Sequence, residues 1–179
     1  MIDEKIKKKQ EKAIQRVKNY IMFYINKYPS TTKNKIIQKI KSAKCYDTYT
    51  QVFETDKELI ELVDWYEELN IINDKETVRA KVYSKINAGW SVRKIRSQLP
   101  MTIQSNVNEV NEAIELYLSE NNIEDTNELD FNLVYNDLEK RESKEKLSCD
   151  KYKDKITRRY IGRGFSYSVV NEAMKIFLE

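Results

Sequence analysis

Basic side chains recur in three segments of the chain and are its best candidates for binding a partner. Arginine and lysine pair with phosphate and carboxylate groups, so such sets indicate recognition of nucleic acid or of an acidic protein surface. If similar segments stack regularly, these side chains align into one positive strip. The alternative is an ordinary solvated helix surface. The candidate partner-binding residues are Lys35, Lys39, Arg93, Lys94, Arg96, Arg158, Arg159 and Arg163.

Catalytic chemistry has little support in the sequence. Histidine, the commonest general base near neutral pH, is absent. Adjacent acids such as Glu67 and Glu68 point in different directions on a helix, and Asp125 with Glu128 has the spacing of a helix cap. The segment 162–164, Gly-Arg-Gly, lacks the lysine of a phosphate-binding loop. We therefore predict a protein that is not an enzyme, with no catalytic residue, no metal site and no cofactor.

The cysteines and the apolar stretches indicate the compartment. Cys45 and Cys149 have neither the spacing of a zinc site nor that of a redox pair, and we expect ordinary small apolar residues in a reducing compartment. The longest apolar stretch, residues 20–28, is too short to span a bilayer, and no signal-peptide core follows the lysine-rich start. The prediction is a soluble cytoplasmic protein with no membrane partner.

All three glycines lie at two similar corners, which must position the basic residues. A glycine at a helix end supplies the left-handed backbone conformation without a Cβ clash. The serine two residues later can cap the next helix by accepting a backbone hydrogen bond. The aromatic residue between them is expected to pack on that helix as a hydrophobic staple, with base stacking as the alternative. The corner residues are Gly89, Trp90, Ser91, Gly164, Phe165 and Ser166.

The corners connect helices rather than strands. Glycine and proline are too rare for a fold with many turns, and apolar residues recur at helical spacing. A third, weaker corner follows Pro29, where we expect Thr32 to cap a helix. Capping boxes are predicted at Thr55 with Glu58 and at Asn73 with Glu76. The nine predicted helices cover residues 11–28, 32–43, 55–70, 74–88, 91–99, 105–121, 126–144, 150–162 and 166–178.

Positive and negative charge alternate along the chain, and the positive blocks contain the corners. Residues 1–44 carry 13 lysines and arginines against 3 acids, and residues 45–80 carry 3 against 10. The later positive segments, 81–99 and 151–179, contain the two glycine corners. We predict an all-α fold, an elongated array of three tandem three-helix repeats. The predicted divisions are a basic leader at 1–10, repeats at 11–72, 73–123 and 124–179, and a polar insert near 139–155.

Several of these motifs also resemble the RecX regulatory family, whose members bind the filament of the RecA recombinase. The middle and last units carry the resemblance, which covers roughly residues 11–179 and is weakest near Thr32. The family fold of three tandem three-helix repeats and a RecA filament as partner are what the resemblance implies. The matching residues are Asn73-Asp74, Gly89-Trp90-Ser91, Lys94-Ile95-Arg96, Leu99 and Arg163-Gly164-Phe165-Ser166.

The resemblance implies a monomeric, non-enzymatic regulator of recombination, DNA repair and the SOS response. Such a protein would lower ATP hydrolysis, strand exchange or co-protease activity of the filament, with single- or double-stranded DNA as a further partner through the basic strip. One alternative is a stand-alone nucleic-acid-binding protein of helix-turn-helix type, with Arg93, Lys94 and Arg96 on its second helix. Another is a scaffold of helical repeats whose partner is unrelated to recombination.

Overall fold

The regular elements of this chain are helices. A computed structural model describes residues 2–42, 53 and 56–179, and in that part of the chain it contains helices and no strand. The predicted all-α class is therefore confirmed. Two predictions, Cys45 and the cap at Thr55, lie outside the described residues. The ten helices of the described residues are α1 Ile2–Lys27, α2 Lys33–Ile40, α3 Asp56–Glu68, α4 Asp74–Asn87, α5 Val92–Ile103, α6 Val107–Glu120, α7 Thr126–Arg141, α8 Lys144–Leu147, α9 Asp150–Gly162 and α10 Tyr167–Leu178.

Polar side chains start most of these helices. Asn106 and Glu109 form a reciprocal capping box at α6, and the Asp125 carboxylate accepts hydrogen bonds from the first amides of α7. The side chain of Asn73 accepts from the N–H of Glu76 at 2.9 Å at the start of α4. Each of these bonds satisfies a backbone donor that has no partner within its helix. These helix starts agree with the sequence prediction.

Two helices run further than predicted. α1 begins at Ile2 rather than at residue 11, because its first residues are mainly lysine, glutamate and glutamine, which favour the helix. α5 was predicted to end at residue 99 but continues through Pro100 to Ile103. The backbone hydrogen bond lost at Pro100 is offset by burial of its ring and of Ile103. Gln104 then ends α5 in the left-handed conformation, with φ 56°.

Residues Met1–Thr77 form one compact unit with a core of its own, which we call the first core. The Nζ atom of Lys33 donates to Asp64 at 2.9 Å and to Glu67 at 2.6 Å, so the start of α2 is tied to α3. The hydrogen bond to Glu67 is the main reason that the pKa of Lys33 is raised. The first core contains Val17, Ile21, Tyr24, Ile25, Ile36, Ile40, Leu59, Val63, Tyr66 and Ile72.

Residues Val78–Glu179 form a second compact unit with two cores. The second core is built mainly from α4, α5 and α6, and the third core from α7 through α10. The boundary between the compact units falls inside α4. The three predicted repeats, with divisions after residues 72 and 123, stay a prediction. Buried side chains central to the second core are Val82, Ile86, Ile95, Leu99, Val110 and Ile114, and those central to the third are Val134, Leu138, Leu147, Tyr160, Val170 and Met174.

The predicted polar insert near 139–155 is neither one long helix nor a loose segment. It contains the end of α7, the short helix α8 and the start of α9. Leu147 of α8 is fully buried in the third core, and the Ser143 hydroxyl caps α8. The Tyr152 hydroxyl donates to the Glu142 carboxylate at 2.7 Å. One buried leucine and these polar contacts therefore hold a highly charged sequence in place.

Candidate binding surfaces

The first glycine corner ends α4 as predicted. Gly89 has φ +74°, the left-handed conformation that glycine adopts at little cost. Its N–H donates to the carbonyl of Ile86 at 2.8 Å, and the N–H of Trp90 donates to the carbonyl of Lys85 at 3.1 Å. This pair of bonds is the Schellman motif, which satisfies two carbonyl groups at a helix end. The Ser91 hydroxyl then accepts from the N–H of Lys94 at 3.2 Å and caps α5.

The second corner repeats the first at the end of α9. Gly164 has φ +99°, and its N–H donates to the carbonyl of Ile161 at 2.9 Å. The N–H of Phe165 donates to the carbonyl of Tyr160 at 3.2 Å, and the Ser166 hydroxyl accepts from the N–H of Val169 at 3.3 Å. The predicted sequence of left-handed glycine, aromatic residue and capping serine is therefore confirmed at both corners.

The two corners pack directly against each other, which sequence reasoning missed. The Ser91 hydroxyl, besides capping α5, donates to the carbonyl of Arg163 at 3.3 Å. A Cβ atom on Gly164 would lie 2.8 Å from the Cβ of Lys94 and nearer still to the Ser91 hydroxyl. Glycine at 164 is thus needed both for the backbone conformation and for the close approach of the neighbouring corner. The shared Gly-aromatic-Ser pattern was the available signal, since similar corners can stack.

The two aromatic residues of the corners have different surroundings. Phe165 is 1% exposed and meets the Tyr160 ring edge to face at 6.0 Å, so the base-stacking alternative is wrong for this residue. Trp90 is half-buried and packs against the second core, as a staple would. The Nζ atoms of Lys85 and Lys94 lie 4.1 and 4.5 Å from the centre of its ring. Trp90 therefore holds two ammonium groups by cation–π contact.

The third corner, near Thr32, is capped differently from the prediction. Thr32 occupies the N-cap position of α2, but its side chain makes no capping hydrogen bond. The first amide of α2, on Lys33, instead donates to the Asp74 carboxylate at 2.8 Å. The capping acceptor thus comes from α4, 41 residues further along the chain, and local sequence pattern could not reveal it.

Asp130 caps α5 in the same manner. The N–H of Val92, the first residue of α5, donates to the Asp130 carboxylate at 2.9 Å, across 38 residues. Burial raises the pKa of Asp130 to about 6, although the bond from Val92 and the charges of Arg93 and Arg96 oppose the rise. Corner helices α2 and α5 thus share one arrangement, in which an aspartate from a later helix binds the first amide.

A groove of about 460 Å³ lies beside Asp130. Arg93 and Arg96 line it from α5, and Ser166 lines it from the second corner. Arg93 is exposed. Arg96 donates to the Asn111 side chain at 2.9 Å and lies 3.8 Å from the Glu115 carboxylate, so α6 holds it. Lys94, the third basic residue on α5, lies over the Trp90 ring.

The basic residues before the second corner are mostly engaged within the third core. The Asp137 carboxylate accepts from the Tyr160 hydroxyl at 3.0 Å and from Arg163 at 3.2 Å. Arg159 lies 3.1 Å from the Glu142 carboxylate, whose side chain is 3% exposed, and 3.6 Å from Asp137. Burial is the main reason that the pKa of Tyr160 rises to about 12. Arg159 and Arg163 therefore balance buried carboxylates in this network.

The remaining predicted binding residues are Lys35, Lys39 and Arg158. Lys35 is half-buried, while Lys39 and Arg158 are exposed. Lys39 lines a groove of about 480 Å³ in the first unit, together with aromatic rings of α1. Among the described residues, no carboxylate lies within salt-bridge distance of Lys39, Arg93 or Arg158. These three cations are the predicted residues best placed to meet a partner.

Within the described part of the chain, no group of three or more cysteine and acidic side chains is arranged to hold a metal ion. Over the same residues, no helix combines the length and apolarity needed to cross a membrane. Comparison with known proteins adds no relative: no protein-family model, no curated protein and no solved structure matches this chain.

Proposed function

We propose that this chain is a non-catalytic regulator that binds the RecA–DNA filament and lowers its activity. The observation that carries the proposal is the contact between the two glycine corners. The residues that carry the RecX resemblance at these corners meet in the structure: Ser91 bonds to Arg163, and Gly164 lies against Lys94. The motif therefore specifies one structural element, in which two stacked corners set the positions of α5 and α10.

The cations near this element supply the binding chemistry of the proposal. Arg93 and Arg158 are exposed, and both belong to helices packed into the cores of the second unit. Arginine pairs with carboxylates and with phosphates, and a RecA–DNA filament presents both. Because these helices are already packed, binding needs to order the arginine side chains but not the backbone that carries them.

The arrangement of α5 favours this proposal over the helix-turn-helix alternative. In that alternative Arg93, Lys94 and Arg96 would reach base edges in the major groove. Lys94 instead lies over Trp90, and Arg96 is held by Asn111.

Co-sedimentation with preassembled RecA filaments tests the proposal. The test variant Arg93→Gln with Arg158→Gln removes two exposed cations. The matched control, Lys151→Gln with Lys155→Gln, removes the same charge from two exposed lysines of α9. We expect the test variant to lose about tenfold or more in filament affinity and the control to lose about threefold or less, because close ion pairs contribute more than distant charge.

Circular dichroism melting of both variants establishes that each is folded before the comparison. Equal losses in the two variants would contradict a specific role for Arg93 and Arg158. Absence of any co-sedimentation of the parent protein would overturn the proposed function.

A further inference from the structure

One side of α1 carries a continuous basic stripe. Its members follow one another at intervals of three or four residues, which places them on one face of a helix. The first four are exposed cations, and aromatic rings follow. In a helix with a pitch of about 5.4 Å, such spacing offers one side chain per turn. The α1 stripe consists of Lys5, Lys9, Lys12, Arg16, Tyr20, Phe23 and Lys27.

Acidic residues do not interrupt the α1 stripe. Between residues 4 and 42 the acids are Glu4 and Glu11, and both lie about 120° around the helix from the stripe, at 100° per residue. The apolar face of α1, which includes Val17 and Ile21, is buried in the first core. The stripe therefore presents a run of like charges to solvent, and such a run attracts a polyanion.

Exposed aromatic rings lie where the stripe ends. Phe23 is 59% exposed and Tyr28 is 47% exposed, both high values for large rings. The Nζ atom of Lys27 lies 5.8 Å from the Phe23 ring centre and 5.5 Å from that of Tyr28. Both rings line the groove of about 480 Å³ that also contains Lys39, and among the described residues no carboxylate lines it. Cations and exposed aromatic rings thus share one site.

Single-stranded nucleic acid matches this combination. Proteins that bind single strands pair a basic track for the backbone with aromatic rings on which bases stack. A duplex keeps its base faces covered, so it would use the charges and leave the rings without a partner. An anionic membrane fits less well, because the apolar face of α1 that would enter the lipid is already packed in the first core.

We propose that the α1 stripe binds the phosphate backbone of single-stranded nucleic acid, and that Phe23 and Tyr28 stack on its bases. Lys39 is the one residue that this site shares with the predicted partner-binding residues. The proposal does not rest on recombinase binding, and its test contains no recombinase.

Fluorescence anisotropy with a labelled oligothymidylate of about 20 nucleotides tests the proposal. Phe23→Leu keeps an apolar side chain but removes the ring, while Phe23→Trp keeps a stacking surface. We expect Phe23→Leu to weaken binding about fivefold or more and Phe23→Trp to retain parental affinity, because each stacked base contributes that much or more. A strand of the same length without bases should bind the parent more weakly, by more than the factor lost in Phe23→Leu, because it can stack on neither Phe23 nor Tyr28.

The charge arm compares two pairs of exposed cations of the first unit. Lys9→Gln with Arg16→Gln removes two stripe residues, and Lys7→Gln with Lys75→Gln removes two cations from outside the stripe, one on another face of α1 and one on α4. Between about 50 and 200 mM salt, the stripe variant should lower the slope of log affinity against log salt by about 1.4, because each phosphate contact contributes about 0.7. The other pair should change the slope by less than half as much.

Four results would overturn the proposal: no binding of oligothymidylate, tighter binding of a duplex, equal binding of the strand without bases, or equal salt slopes for the two cation pairs. Binding to vesicles of phosphatidylglycerol in place of the oligonucleotide would also overturn it and assign the stripe to membranes. An oligouridylate of the same length distinguishes RNA from DNA as the preferred strand. Each variant changes an exposed side chain, and circular dichroism checks its fold.

Discussion

Replacing Gly164 by alanine separates the two roles that the structure gives this glycine. Gly164 has φ +99°, and an added Cβ would lie 2.8 Å from the Cβ of Lys94. A residue with a Cβ loses about 1–2 kcal/mol in the left-handed conformation. Forcing extra volume into a tightly packed contact costs about a further 1–3 kcal/mol. We therefore expect Gly164→Ala to lower the free energy of unfolding by about 2–5 kcal/mol.

The other two glycines provide matched controls. Gly89 also has a positive φ, +74°, but among the described residues its added Cβ would meet only the Arg163 side chain, at 3.8 Å. Gly89→Ala should lower the free energy of unfolding only by the cost of the left-handed conformation, about 1–2 kcal/mol. Gly162 ends α9, and an added Cβ would meet no atom within 4 Å among the described residues. Gly162→Ala should raise the free energy of unfolding by about 0.5–1 kcal/mol, because alanine favours the helix more than glycine does.

Urea unfolding followed by far-ultraviolet circular dichroism measures all three variants. The expected order of stability is Gly162→Ala, parent, Gly89→Ala and Gly164→Ala. A Gly164→Ala variant as stable as Gly89→Ala would refute the packing of the corners, because the two would then share only the conformational cost. A Gly164→Ala variant as stable as the parent would refute the left-handed corner as well.

Two further substitutions test half-buried carboxylates of the second unit. The folded pKa of Asp130, about 6, is above its unfolded value, so ionisation lowers stability as pH rises from about 4 to about 6. Asp130→Asn keeps an acceptor for Val92 and should be more stable than the parent by about 1–2 kcal/mol at pH 8, with no gain near pH 4, measured by urea unfolding. Asp137→Ala leaves Tyr160 and Arg163 without their shared acceptor. The free energy of unfolding should fall by about 2–3 kcal/mol in the same assay. A loss under about 0.5 kcal/mol would contradict a stabilising role for these hydrogen bonds.

Local interactions were predictable from the sequence because they join residues close in the chain. Gly89 and Gly164, and the serines that cap the next helices, form hydrogen bonds with residues no more than five positions away. The structure contains these bonds at both corners. Asn70 and Asn122 also end helices in the left-handed conformation, with φ 55° and 54°. Asparagine was the signal there, since it tolerates this conformation better than most residues.

Interactions between distant residues were beyond the sequence pattern. Asp74 and Asp130 cap helices 41 and 38 residues earlier, and nothing near either aspartate indicates its target. Arg159 and Arg163 belong to a basic segment that predicts a binding surface, yet Asp137 and nearby acids hold them inside the unit. Charge along the sequence therefore located basic helices but could not separate exposed cations from internally paired ones.

Single-strand-dependent ATP hydrolysis by the RecA of the same organism tests the central claim most directly. The protein is titrated onto DNA already saturated with RecA, and Phe23→Leu is titrated in parallel to weaken the contribution of the proposed DNA site on α1. A filament regulator predicts that hydrolysis falls with both proteins, at levels well below those that coat the DNA. Unchanged hydrolysis with the parent, or inhibition lost entirely in Phe23→Leu, would contradict regulation through the filament.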